Sequence, residues 1–448
     1  MSPYRDRSRA LPTAPADVAH LLRRAGFGGD AARIAALALL DLPAVVDAVL
    51  DTTANPADIP PAEFADANKG DSERFMALTQ QWYDRMATSP TPIVEKMTLF
   101  LHGHFTTQSA KVDWPKVIRE QISLYRASAL GDFQALSQAM AINPAMLMYL
   151  DNDRNVKGAP NQNFGRELLE LFLLGVGNYT EADVEAAAKA WTGHSVTVDD
   201  KARTATYVFN ANKHDTSTKT FLGKTGNLDG PDTITHIFTD ANLQMIMAKF
   251  IAAKLWTFFA YPNPPQAVVD ALAGVFIASN FQIKPLLRAL FLRTEFYSST
   301  AKLGLVRSPV EWVVAILRGM ASNLKASDLN PQWYQEDMGQ ELFNPPNVAG
   351  WKNNLYWISP SAAGAREQFV DNVANKMAGK NLLGNSTTLP PDQAIKAALD
   401  LFQIMTPAAH TNQVLTTWIN AQRAAKQGGP EPGNLARLVM LSPDLQMA

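Results

Sequence analysis

Seven histidines and no cysteine define the chemistry open to this chain. Without thiolates there are no disulfides, no Cys-ligated zinc or iron–sulfur sites and no cysteine nucleophile. Any metal site must then be built from imidazole and carboxylate. Three groups of residues carry such potential. The first is Glu95-Lys-Met-Thr-Leu-Phe-Leu-His102-Gly-His104. On a helix, Glu95 and His102 share a face across two turns, whereas His104 points about 200° away from His102 if the helix continues. Gly103 offers a helix end that would let His104 swing back. A His-x-His pair with a carboxylate suits one divalent ion, Zn²⁺, Mn²⁺ or Fe²⁺. The plainer reading makes His102 a cap for helix-end carbonyls and His104 an interior histidine.

The second group is Asn163-Phe-Gly-Arg166-Glu167-Leu-Leu-Glu170. Asn163, Glu167 and Glu170 fall at i, i+4, i+7 on a helix whose remaining circumference is apolar. Such a helix is normally buried, and buried carboxylates need a partner, a metal or a raised pKa. Glu167 and Glu170 are candidate acid/base groups, with Arg166 to steady developing charge and Asn163 to contact substrate; the alternative makes the polar arc a solvent face. The third group is His214-Asp215, beside a β element and flanked by His194. It gains catalytic interest if that element folds over the helical core. Further along, Gln340, Asn347 and Trp351 lie in a stiff Pro- and Gly-containing segment, with Trp357 beyond, and suit substrate binding. Arg23, Arg24 and Arg307 read either as an anion clamp or as partners for buried glutamates.

The elements that must hold these residues are mostly helices. Apolar residues recur with helical period in 15–28, 30–40, 43–51, 73–88, 92–102, 115–130, 133–142 and 145–150, and again from Pro231 nearly to the end. Start signals are local and clear: Thr91 and Asp113 before prolines, Asp132, and the boxes Thr180-x-x-Asp183 and Ser308-x-x-Glu311. The stretch 194–223 alternates apolar and polar residues about Asp199-Asp200-Lys201, which predicts one inserted β-hairpin. Residues 53–71 read as a surface loop or linker after a small helical N-terminal subdomain, 1–52. The fold class expected is mainly α, a multi-helix globular array with one small β insertion, and 1–448 reads as one unit.

Other classes drop out. The net charge of −2 gives no basic face for nucleic acid. Gly223-Lys-Thr matches the end of a phosphate loop, but the glycine needed five residues upstream is Thr218. No GxSxG, HExxH or dinucleotide fingerprint is present. No apolar run reaches 18 residues, and Met245–Ala260 is interrupted by Lys249 and Lys254. Arg5, Arg7 and Arg9 are followed by no apolar signal segment, so the expectation is a cytoplasmic protein by default.

Seven phrases in order, among them HLLRRAGFGG from His20, EKMTLFLHGHF from Glu95, NQNFGRELLELFLLGVGNYTEADV from Asn161, RSPVEWVV from Arg307 and MGQELFNPPNVAGW from Met338, resemble the bacterial family catalogued as domain of unknown function 1800. The resemblance spans nearly the whole chain and implies a single family-length unit; it lends no assigned reaction. His194 stands where the family usually has Trp after Thr-Gly, and Leu101 where it has Trp before the His-x-His. Relatives are often exported. The functional expectation is a hydrolase-type enzyme with a His/Glu pocket between helices. The rivals are a metal-independent carboxylate enzyme acting on carbohydrate, and a non-catalytic helical binding or assembly module.

Overall fold

The computed structural model describes residues 12–320, 323–378, 389–425 and 432–448. The protein is 62% helical, with 22 α-helices and two small antiparallel sheets among the described residues. None of these helices is long and apolar enough to cross a membrane. The arginines at 5, 7 and 9 lie outside the described residues.

One helix organises the core. Pro92–His104 is buried on every side except at Gly103. The helices Asp71–Thr88, Pro115–Ser128 and Pro15–Ala25 pack around it. It starts at a proline placed where a missing N–H costs nothing, and Thr91 makes no capping bond to it. Its end departs from the sequence expectation. The helix runs through Gly103 to His104 instead of stopping, and Phe105 N–H closes on the Leu101 carbonyl at 2.8 Å. Tight packing compensates for the weak helix propensity of a single glycine.

Local start signals are realised elsewhere. Asp132 accepts from Ala135 N–H at 3.0 Å. Thr180 and Asp183 cap each other's backbone, and so do Ser308 and Glu311.

The β insertion is two hairpins rather than one. β1 (His194–Asp199) pairs with β2 (Thr204–Phe209), and β3 (Lys219–Phe221) pairs with β4 (Lys224–Gly226). Gly223-Lys-Thr, the fragment like a phosphate loop, is therefore the turn and returning strand of the second hairpin. The first hairpin packs beside the helices Pro144–Tyr149 and Pro115–Ser128. It is pinned there by Arg203 to Asp71 and by Lys116 to the Ala202 carbonyl.

The helix holding Glu167 and Glu170 changes pitch. Asn163–Glu167 is α-helical, whereas Leu168–Leu173 is a π-helix, with Leu174 N–H bonded to the Leu169 carbonyl five residues back. A side-chain pattern of period 3.6 cannot hold through that change.

Candidate active site

Each of the three expected groups has a definite place, and they do not converge. Glu95, on the central helix, is fully buried. Its carboxylate accepts from Trp82 Nε1 at 2.9 Å, Arg85 Nε at 2.5 Å and Arg126 Nε at 2.9 Å. Arg126 in turn bonds Asp58 at 2.8 Å. This carboxylate has no lone pair to spare for a metal.

Because the helix continues, His102 and His104 face different surroundings. His102 sits among Trp82, Phe343 and the edge of Trp351, and its Nε2 accepts from Phe343 N–H at 3.0 Å. His104 stacks on Phe100 at 5.8 Å and lies edge-on to Phe105 and Phe172. Among the described residues no three His, Asp or Glu side chains are grouped to hold an ion. The metal reading of Glu95, His102 and His104 does not fit this donor set.

Glu167 and Glu170 are half-exposed, not buried among apolar helices. Glu170 takes the Tyr179 hydroxyl, and burial, reinforced by Glu170, pushes the Glu167 carboxyl above its ordinary range. Arg166 turns to the surface and pairs bidentately with Glu181 at 2.6 and 2.8 Å. Asn163 is exposed.

His214 Nδ1 donates to the Thr192 carbonyl at 2.8 Å, and Asp215 folds its own loop by accepting from Ser217 N–H. His194 bridges Asp229 at 2.7 Å and the Tyr207 hydroxyl at 2.9 Å, so this histidine joins the hairpin to the start of the next helix. No residue of the two hairpins reaches the cavity described next.

The pocket lies on another side of the central helix. A cavity of about 440 Å³ opens between Leu99–His104 and the helix Ala241–Phe259, and is closed by the segment 340–357. That size suits a small organic ligand. Its walls are apolar: Leu99, Phe100, Phe250, Phe258, Trp351 and Trp357. Gly350 fixes the closing segment, because its φ of +80° is open to glycine and a Cβ there would meet the Gly103 carbonyl oxygen at 2.5 Å. Of the residues singled out in the sequence, His104, Gln340, Trp351, Trp357 and Arg24 line this space. Gln340 also accepts from Val310 N–H at 3.0 Å, so it helps to start the helix Pro309–Met320. Asn347 does not reach the cavity; it is exposed and accepts from Ala349 N–H to form a turn.

The charged lining is cationic in excess. Arg24 donates to the Phe259 and Phe258 carbonyls at 2.7 Å each, which caps the C-terminal end of Ala241–Phe259. Glu311 pairs with buried Lys96. Burial pushes the Glu311 carboxyl up, but Lys96 and Arg24 outweigh it and hold the group down at about 2. Burial draws Lys96 down to about 8 against the pull of Glu311.

Two groups remain unsatisfied or perturbed. Lys254 donates to the Leu171 carbonyl at 3.1 Å and has no carboxylate partner among the described residues; burial pulls its ammonium down to about 8. His104 is held neutral by burial and by the charge of Lys254, and neither ring nitrogen closes a full hydrogen bond, the Phe172 backbone giving only a weak interaction. A buried imidazole lacking partners is costly. Here it borders a space that a ligand or water can enter.

Lys254, Lys96 and Glu311 escaped the sequence reading. Lys254 registered there only as an interruption of an apolar run, and Glu311 only as the far member of a capping box.

Fold and cavity together define a mainly α protein with a ligand-sized pocket beside a buried central helix. The chain belongs to the family described as Protein of unknown function (DUF1800), whose model matches residues 20–447. No curated protein and no solved structure matches it.

Proposed function

We propose that this protein is an enzyme acting on a small, partly apolar molecule that carries an anionic group, and that the reaction is hydrolytic. The observation that supports it is His104, neutral and with neither ring nitrogen in a full hydrogen bond, on the same cavity wall as Lys254, an ammonium drawn down to about 8. A neutral imidazole has a lone pair open to a proton, and an ammonium on the same wall supplies positive charge for a developing oxyanion. In this reading the imidazole of His104 takes a proton from water as the water oxygen attacks a carbonyl or phosphoryl centre. The Lys254 ammonium stabilises the oxyanion that develops. The proton on His104 then passes to the leaving oxygen. Arg24 supplies positive charge for the anionic group of the substrate, and Trp351 and Trp357 pack its apolar part.

A second reading is a binding module without turnover. It is favoured by Glu311, the one carboxylate lining the cavity among the described residues, which is already engaged by Lys96 and by Ser308 N–H at 2.9 Å. Assays over a panel of p-nitrophenyl carboxylates and phosphates separate the two. Turnover by the wild type that falls by about 10²-fold or more in both His104→Ala and Lys254→Met supports the enzyme reading. Turnover unchanged in both variants, or none by the wild type with any member of the panel, would overturn it. Arg166→Ala serves as the control and should retain full rate.

A further inference from the structure

A second cavity, of about 310 Å³, lies on the other side of the segment Leu305–Ser308. That segment is held extended by the chain end: Arg307 N–H donates to the Gln446 carbonyl at 2.8 Å, and Ala448 N–H donates to the Leu305 carbonyl at 2.8 Å. Leu305, Val306 and Ser308 line the first cavity, whereas Arg307 lines the second together with Arg23.

Most of the second lining is apolar, including Ile34, Leu303, Ile404 and Met405. Its charges do not balance. Lys302 pairs with Asp17. Asp444 is consumed by Ala408 N–H and the Thr411 hydroxyl. Arg23 and Arg307 form no ion pair with a described residue, and Arg23 Nε and Arg307 Nη1 are buried without a hydrogen-bond partner. Arg307 is only 7% exposed.

Behind Arg307 stand Arg24 and Arg366, both cations, and the single acid Glu311, which Lys96 already holds. A guanidinium stays charged at neutral pH even here. Burying one that makes no ion pair of its own is costly unless something outside the chain neutralises it. A planar fork of donors in an apolar cavity matches a carboxylate or phosphate oxyanion bearing an apolar tail.

We propose that this second cavity binds a small organic oxyanion, its charged head on Arg23 and Arg307 and its tail against Ile404 and Met405. The site is separate from the one beside His104 and does not depend on catalysis there.

Thermal melts of the full chain test this with hexanoate and with inorganic phosphate, each compared with sodium chloride at equal ionic strength. Binding to the folded state raises the midpoint. The expected result is a rise of several degrees for the wild type that is lost in both Arg23→Met and Arg307→Met. A response to hexanoate assigns a carboxylate head, and a response to phosphate alone assigns a phosphoryl one. Without added anion, Arg307→Met should melt no lower than the wild type, since it removes an unpaired charge. No rise with either probe, or an equal rise in both variants, would overturn the proposal.

Discussion

Two buried charge clusters flank the same helix and follow opposite logic. Around Glu95 the ledger closes: one carboxylate receives Arg85, Arg126 and the Trp82 N–H, and Arg126 has Asp58 as its second acid. Around Glu311 it does not, since Lys96, Arg24, Arg307 and Arg366 share that one carboxylate. The closed cluster lines neither of the two cavities described. The open one lies between two of them. Buried charges that satisfy one another hold a fold together, whereas here a surplus of positive charge is left beside the two cavities.

Breaking the closed cluster should have the largest effect. Glu95→Ala removes the carboxylate shared by two largely buried guanidinium groups, leaving Arg126 only Asp58, and should cost about 3–5 kcal/mol, read as a lower urea midpoint. A loss below about 1 kcal/mol would mean that the cluster is not the fixed network described.

Acid should act on both sides of the helix at once. His20 and His102 titrate at about 3 in the folded protein because burial disfavours their charged forms, and His104 lies well below 6.5 for the same reason. The unfolded chain takes up these protons near pH 6.5. Stability is therefore complete above 6.5 and declines as the pH falls below it. At pH 5.5 the three together should remove about 4 kcal/mol relative to pH 8. Urea melts at the two pH values would show it, and a flat profile would contradict the burial of these rings.

Paired arginine deletions sharpen the contrast. Arg126→Met should lose about 3 kcal/mol because it leaves Glu95 undercompensated, whereas Arg307→Met should lose nothing. Equal losses would erase the distinction between the two clusters. Least of all should come from Arg166→Ala, whose partner Glu181 is exposed; its melting midpoint should match the wild type.

How much of this was legible in the sequence depended on range. Helix starts at Asp132, Thr180 and Ser308 are written within four residues, and the structure follows them. So is the mainly α class, since helical period persists over most of the chain. The end of the central helix misled because Gly103 signals a stop locally, while packing on all sides of Pro92–His104 keeps it helical. The Glu167/Glu170 face misled because a π turn shifts the register after Glu167, and because solvent rather than protein covers that side. The cavity itself is a long-range object. Arg24, His104, Lys254 and Glu311 meet there from four separate helices, and no spacing rule links them. Arg23, Arg24 and Arg307 were visible as either clamp or counter-ion. Arg24 lies within reach of Glu311 and caps a helix, while the other two form no ion pair with a described residue.

Lys254, an amine of lowered pKa lining the cavity, is the residue on which the proposed chemistry depends most directly. Sub-stoichiometric acylation at pH 8 with an activated ester, followed by peptide mapping, reads both properties together. An amine drawn down to about 8 is half unprotonated there, whereas ordinary surface lysines near 10.4 are almost wholly protonated. Lys254 should be labelled first and ahead of the surface lysines, and saturating the cavity with an anionic aromatic ester should protect it. Labels spread over surface lysines, with Lys254 unmodified, would contradict the central claim.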